Sequence, residues 1–140
     1  KPQGSVALLG FTDNDFFDGD LYDLQLNNWN INDNWELKKK YDTVICTRTA
    51  YFAKNPKDFI KRCYNSLNSG GKLYVDWGLG DHWRFENYKI GWVKKYFDLS
   101  YNMKALWSGT ANEIGRIQTG TRGAPPQLYI LLSCRKRKET

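Results

Sequence analysis

Residues 41–76 read as a strand, a helix and a second strand with short links between them. Tyr41-Asp-Thr-Val-Ile-Cys46 is rich in β-branched and apolar side chains, as a central strand must be. Asn55 offers an N-cap, Pro56 the fixed φ of a first helical position, and Asp58 an acid at the positive end of the helix dipole. Phe59, Ile60, Cys63, Tyr64 and Leu67 then share one face at helical spacing. The pattern predicts a helix from 56 to 67, terminated by Asn68, Ser69, Gly70 and Gly71, with residues 72–76 returning as a strand. A strand–helix–strand unit with short links points to a parallel pair. An α/β sheet with parallel central strands is therefore expected.

The remaining segments arrange themselves around that unit. Residues 5–9 are a short apolar run ending at Gly10, a buried strand followed by a loop. Residues 11–20 are acid-rich and have no helical period, while 21–26 alternate and read as a second strand. Residues 27–35 are dominated by Asn and Asp, which favour local side-chain bonds over regular structure. A glycine-bearing loop is expected at 77–81 and a helix over 83–97, against which Gly91 counts. Leu99, Tyr101 and Met103 alternate as a strand. Residues 105–126, rich in Gly and Thr and ending in Pro125 and Pro126, form a flexible loop or contain a hairpin. Residues 127–134 are a strong final strand, after which a basic tail is expected over 135–140.

The 140 residues fit one domain spanning 1–140, and 41% hydrophobic with 16% aromatic side chains excludes a disordered chain. No apolar run approaches the ~18 residues of a membrane span, and no secretory leader is expected at the start. Cys46, Cys63 and Cys134 have no metal spacing and read as reduced, buried thiols, so a cytoplasmic setting is expected. With a single histidine, no metal site is expected. An EF-hand reading of the loop from Asp13 fails, because Phe17 and Asp18 stand where a ligand and a glycine are needed. The net charge of +6 is unevenly divided. Residues 1–36 hold one lysine and seven acids, a net of −6, and the rest carry 20 bases and 8 acids, a net of +12.

The segment 41–47, the helix 55–67 and Leu67-Asn-Ser-Gly-Gly-Lys-Leu73 resemble, in order and spacing, the middle section of the class I S-adenosylmethionine-dependent methyltransferases. The strands near 99–103 and 127–134 are also what that family would show. The resemblance implies a Rossmann-like methyltransferase sheet with mostly parallel central strands and an antiparallel C-terminal strand. It departs at the front. The first strand is followed by a single glycine instead of a glycine-rich loop, and ten residues before Leu21 are too few for a loop plus a normal helix. A shortened member, with reduced helices on the N-terminal side, is implied.

The same resemblance implies S-adenosylmethionine as cofactor, bound beyond the carboxyl ends of the strands. Gly10 and Phe11 would approach its amino-acid part. Asp23 would accept the ribose hydroxyls if the second strand ends near Leu24; if it runs on to Leu26, Asn27 or Asn28 takes that place. Thr47 and Arg48 match the position lining the methyl-transfer pocket, flanked by Trp77 or Trp83. His82, just past a strand end, is a candidate general base, its alternative being an exposed histidine beside Asp81. The acids of the front loop are expected either in solvent or facing the cationic cofactor. The acceptor is not legible. Two other readings stand beside the enzyme: a non-catalytic relative with a partner-binding role, and a basic nucleic-acid-binding module, which is not favoured.

Overall fold

The computed structural model describes residues 4–15, 17–46, 49–78, 91, 93–107 and 127–137; at 51, 76–78, 100–107 and 127–131 the description is of the backbone. Six strands form one sheet: β1 (Val6–Leu9), β2 (Asp20–Tyr22), β3 (Tyr41–Cys46), β4 (Leu67–Gly78), β5 (Phe97–Trp107) and β6 (Gln127–Lys136), in the order β2-β1-β3-β4-β6-β5. β2, β1, β3 and β4 run parallel; β6 pairs antiparallel with β4, and β5, antiparallel to β6, points the same way as the first four. The expected α/β sheet, with mostly parallel central strands, is the one observed.

The short strands distribute their side chains to both faces, as a period of two requires. Ala7 and Leu9 of β1, with Val44 and Cys46 of β3, face the larger core, which holds Phe59, Ile60 and Cys63 of helix α2 (Pro56–Asn65). Val6, Leu8 and Ile45 face the other way, where Phe11 and Phe17 of the loop after β1 cover them. Phe11 and Phe17 meet edge to face, 6.1 Å between centroids. Residues 11–15 and 17–19 contain no helix, so the reduced front expected from the sequence is present in the described structure.

Three local expectations are corrected. The second strand does not run to Leu26. It ends at Tyr22, and residues Leu24–Asn27 form a short helix, α1. Asp23 causes the switch, because its Oδ2 accepts the amide N–H groups of Gln25 (2.9 Å) and Leu26 (3.2 Å), an N-cap that stops the strand. Helix α2 begins as expected, with Asn55 Oδ1 accepting the Asp58 amide at 3.1 Å, but it ends at Asn65. Leu67 already belongs to β4, where residues 68–71 are an irregularity between the pairs Tyr41↔Leu67 and Thr43↔Lys72. A Cβ on Gly71 would stand 2.8 Å from the Asn68 carbonyl oxygen and 3.1 Å from that of Asp42, so glycine permits this close backbone approach. Finally, the basic run does not begin as a tail at Arg135. β6 continues through Lys136, whose side chain is buried.

The expected loop at 79–81 and most of the expected helix lie outside the described residues, although 93–96 are helical. Of residues 105–126, only 105–107 are described, and they extend β5.

Candidate functional site at the strand ends

The chain turns away from the sheet at Gly10, Asp23 and Thr49, after β1, β2 and β3. Between them opens a cleft of about 520 Å³ lined by Gly10, Asp23, Leu24, Trp29, Asn30, Ile31, Asn32, Thr49 and Phe52. This is the crevice beyond the carboxyl ends of parallel strands where ligands of such sheets are held.

Gly10 holds a φ of 82°, and its amide donates to the Tyr22 carbonyl at 2.7 Å, tying the end of β1 to the end of β2. A Cβ at this position would collide with the Thr49 side chain. A bare backbone therefore faces the cleft at that point, where a side chain would fill it.

Asp23 lies one residue past β2 and lines the cleft. Its Oδ2 is occupied by the cap of α1, whereas its Oδ1 has no partner among the described residues. Asn27 closes the same turn: its Oδ1 accepts the Asp23 amide at 2.9 Å and its Nδ2 donates to the Leu21 carbonyl at 2.7 Å. The cap thus fixes the carboxylate and leaves one oxygen for a ligand donor. Asn28 follows α1 in the left-handed conformation with φ 58°, is exposed, and is not among the lining residues.

The opposite wall comes from two segments that brace each other. Asn32 Oδ1 accepts the Lys54 amide at 2.8 Å, and its Nδ2 donates to the Phe52 carbonyl at 3.2 Å. Leu24 and Phe52, 57% and 61% exposed, are two of the three large apolar side chains most exposed among the described residues, and both line the cleft. Trp29 is buried, packs edge to face on Trp35 at 5.3 Å, and donates its backbone amide to the Asp23 carbonyl at 3.2 Å. Its indole Nε1 is a buried donor with no hydrogen-bond partner among the described residues.

Gly10 and Asp23 therefore line one cleft, while Phe11 lies in the core beneath the sheet's second face. Asp13, Asp15, Asp18 and Asp20 do not line the cleft. Asp13 and Asn14 fold the front loop on itself through their side chains, accepting the amides of Asp15 and Gly19. Asp20 accepts the Tyr41 hydroxyl at 2.6 Å and pairs with Lys38 at 3.3 Å. Thr47, Arg48, His82 and Trp83 lie outside the described residues, and of Trp77 the backbone is described, in β4. Leu24, Asn30, Ile31, Asn32, Thr49 and Phe52 carried no motif in the sequence. Among the described residues no group of His, Cys, Asp and Glu is arranged to hold a metal ion, and no helix is long and apolar enough to cross a membrane.

A second hollow, of about 410 Å³, lies by the amino ends of β3 and β4 and includes Lys39, Lys40 and Arg62. The Arg62 guanidinium is committed to the fold, donating to Asp58 (2.7 Å), to the Trp35 carbonyl (2.8 Å) and to Asn34.

No family model matches the chain. Over 38 residues, 27% of the chain, it is 40% identical to an uncharacterised protein of Methanocaldococcus jannaschii, and that match spans 10% of the relative's length. Solved structures match over nearly the whole chain. The N-methyltransferase NodS from Bradyrhizobium japonicum, determined in complex with S-adenosyl-L-homocysteine, superposes with a TM-score of 0.62 over 95% of this chain and 78% of its own, at 12% identity. The chain has the class I S-adenosylmethionine-dependent methyltransferase fold. An S-adenosylmethionine-dependent methyltransferase from Thermotoga maritima matches with a TM-score of 0.61, 98% of this chain and 84% of its own, at 12% identity. The Haloferax volcanii protein solved in complex with the Trm112 methyltransferase activator matches with a TM-score of 0.60, 98% of this chain and 83% of its own, again at 12% identity. At these identities the likeness is one of fold.

Proposed function

We propose that this chain is a compact S-adenosylmethionine-dependent methyltransferase whose cofactor lies in the cleft between Gly10, Asp23 and Phe52. The observation that carries the reading is the pairing of a bare glycine backbone with a half-committed carboxylate at the ends of adjacent parallel strands. The lining fits an adenosyl group. Gly10 admits close approach, Asp23 Oδ1 accepts hydroxyl donors, and Leu24, Ile31 and Phe52 offer apolar surface for a planar ring.

When bound, the cofactor supplies an electrophilic methyl group on a sulfonium. The chain's own work is to bind and orient. Asp23 holds the ribose hydroxyls, and Thr47 and Arg48, with Trp77 or Trp83, form the acceptor side. His82 is the candidate base for an acceptor that must lose a proton. An acceptor that is already a good nucleophile needs positioning alone.

Titration calorimetry with S-adenosylhomocysteine on the folded protein tests the reading. Heat with a Kd below 1 mM is the expected result, and none at millimolar ligand overturns it. Asp23→Asn sharpens the test, since asparagine caps a helix as well as aspartate does but accepts a hydroxyl less strongly. Binding should weaken about tenfold while the unfolding free energy stays within about 0.5 kcal/mol of wild type. A second reading, a methyltransferase-like scaffold without catalysis, is favoured by the absence of helix from residues 11–15 and 17–19. It predicts no adenosyl binding to a stably folded chain.

A further inference from the structure

β2 is an edge strand: among the described residues it has β1 on one side and no strand on the other. Backbone groups of successive strand residues point to opposite sides. The Tyr22 carbonyl takes the Gly10 amide, so Tyr22 faces β1. The Leu21 carbonyl and the Asp23 amide therefore point to the open side, since Asp23 is still extended, with φ −148° and ψ 148°. In a parallel sheet one residue of the next strand would serve both groups, donating to the carbonyl and accepting from the amide. Here the Asn27 side chain does so. Its Nδ2 donates to the Leu21 carbonyl at 2.7 Å, and its Oδ1 accepts the Asp23 amide at 2.9 Å. A carboxamide carries the donor and the acceptor that a backbone offers, and the single turn of α1 returns it beside the strand.

We infer that Asn27 is a positioning residue for Asp23, its carboxamide standing in for a neighbouring strand and thereby holding the carboxylate at the cleft. The inference rests on the cofactor reading above, which gives Asp23 the ribose hydroxyls. The Asp23 amide is held by Asn27 Oδ1, its carbonyl by the amides of Asn27 (3.0 Å) and Trp29 (3.2 Å), and its Oδ2 by the cap of α1. Only Oδ1 is then left for a ligand. Asn27 is exposed, so in a variant without its carboxamide water reaches the Leu21 carbonyl and the Asp23 amide. The loss falls on the aim of Asp23 more than on folding.

Calorimetry with S-adenosylhomocysteine on wild type, Asn27→Ala, Asp23→Asn and the double variant tests this. Asn27→Ala should weaken binding about fivefold, and by less than about twofold where residue 23 is already asparagine. A general loosening of the chain would lower affinity alike in both backgrounds. An equal loss in both, or none in either, overturns the role of Asn27 and leaves the cofactor reading intact. No binding to wild type overturns both. A readout without ligand is amide hydrogen exchange in ¹⁵N-labelled protein. The Asp23 amide should exchange slowly in wild type and about tenfold faster in Asn27→Ala. Equal exchange in the two overturns the inference whatever the ligand does. If Asn27→Ala does not fold, Asn27→Ser takes its place in both experiments.

Discussion

Gly10 occupies a backbone conformation that L-residues enter at a cost of about 1–2 kcal/mol, and the Thr49 side chain stands where its Cβ would be. Gly10→Ala should therefore destabilise the protein by about 2 kcal/mol in urea unfolding. Adding Thr49→Ala should recover the steric part and leave the conformational part. A full-strength midpoint for Gly10→Ala would show that the turn relaxes freely. The sequence singled out Gly10 as the end of an apolar run, but Thr49 pressing on it comes from 39 positions away and carries no local signal. Asp23 was legible only as one of two alternatives, because the alternation of Tyr22, Leu24 and Leu26 suits a longer strand. The cap decided it. The carboxylate accepts two amide N–H groups at once, and that fixes the strand's end at Tyr22. Asp23→Ala should cost about 1 kcal/mol through the lost cap alone, measured by the same unfolding curve.

At the scale of elements, helix α2 shows why starts are easier to read than ends. Its N-terminus is written locally, in Asn55, Pro56 and Asp58. Its C-terminus is closed in part by Ser66, whose amide and hydroxyl donate to the Arg62 carbonyl at 3.0 and 2.7 Å, and in part by a residue distant in sequence. The Lys136 ammonium, on β6, donates to the Tyr64 carbonyl at 3.0 Å and the Leu67 carbonyl at 2.8 Å, and lies 4.2 Å from the centre of the Tyr64 ring. A cation there satisfies orphaned carbonyls and meets the negative end of the helix dipole. In the sequence this lysine is one of four basic residues at a terminus, where solvated charge is the ordinary explanation. Lys136→Met keeps much of the volume and removes both bonds. It should lower stability by about 2–3 kcal/mol in chemical denaturation. A loss no larger than that of an exposed lysine would refute the capping role.

Across the whole molecule, the charge asymmetry has become a set of structural contacts. Lys38 pairs with Asp20, Arg62 with Asp58, and Arg137 with Asp98 while also donating to the carbonyls of Lys94, Lys95 and Phe97. Lys38, Arg62 and Arg137, with Lys136, are thus used to tie elements together. Two carboxyls follow from the same packing. The Tyr41 hydroxyl holds Asp20 below the ordinary carboxyl value, and the Asn68 amide does so for Asp42. Both groups bind protons more readily when the chain is unfolded. Their contribution to stability is complete above the ordinary carboxyl pKa of about 4 and is lost as pH falls through the lower folded values. Unfolding free energy should decline from about pH 4 downwards, and less steeply in Tyr41→Phe, which removes the largest cause at Asp20. The thiols give a second global test. Cys46, Cys63 and Cys134 are all buried, and burial raises the Cys63 thiol and pushes Cys134 up to about 12. A thiol reagent at neutral pH should leave the native protein unlabelled and titrate three thiols after denaturation. The α/β class, the parallel pair around α2, and the glycine at the end of β1 were determined by the sequence alone, because periodicity, caps and turn residues act over a few positions. The cleft was decided by tertiary structure. Gly10, Asp23, Trp29 and Phe52 meet because a parallel sheet collects the ends of strands that are far apart in the chain, and a one-dimensional pattern contains no term for that meeting.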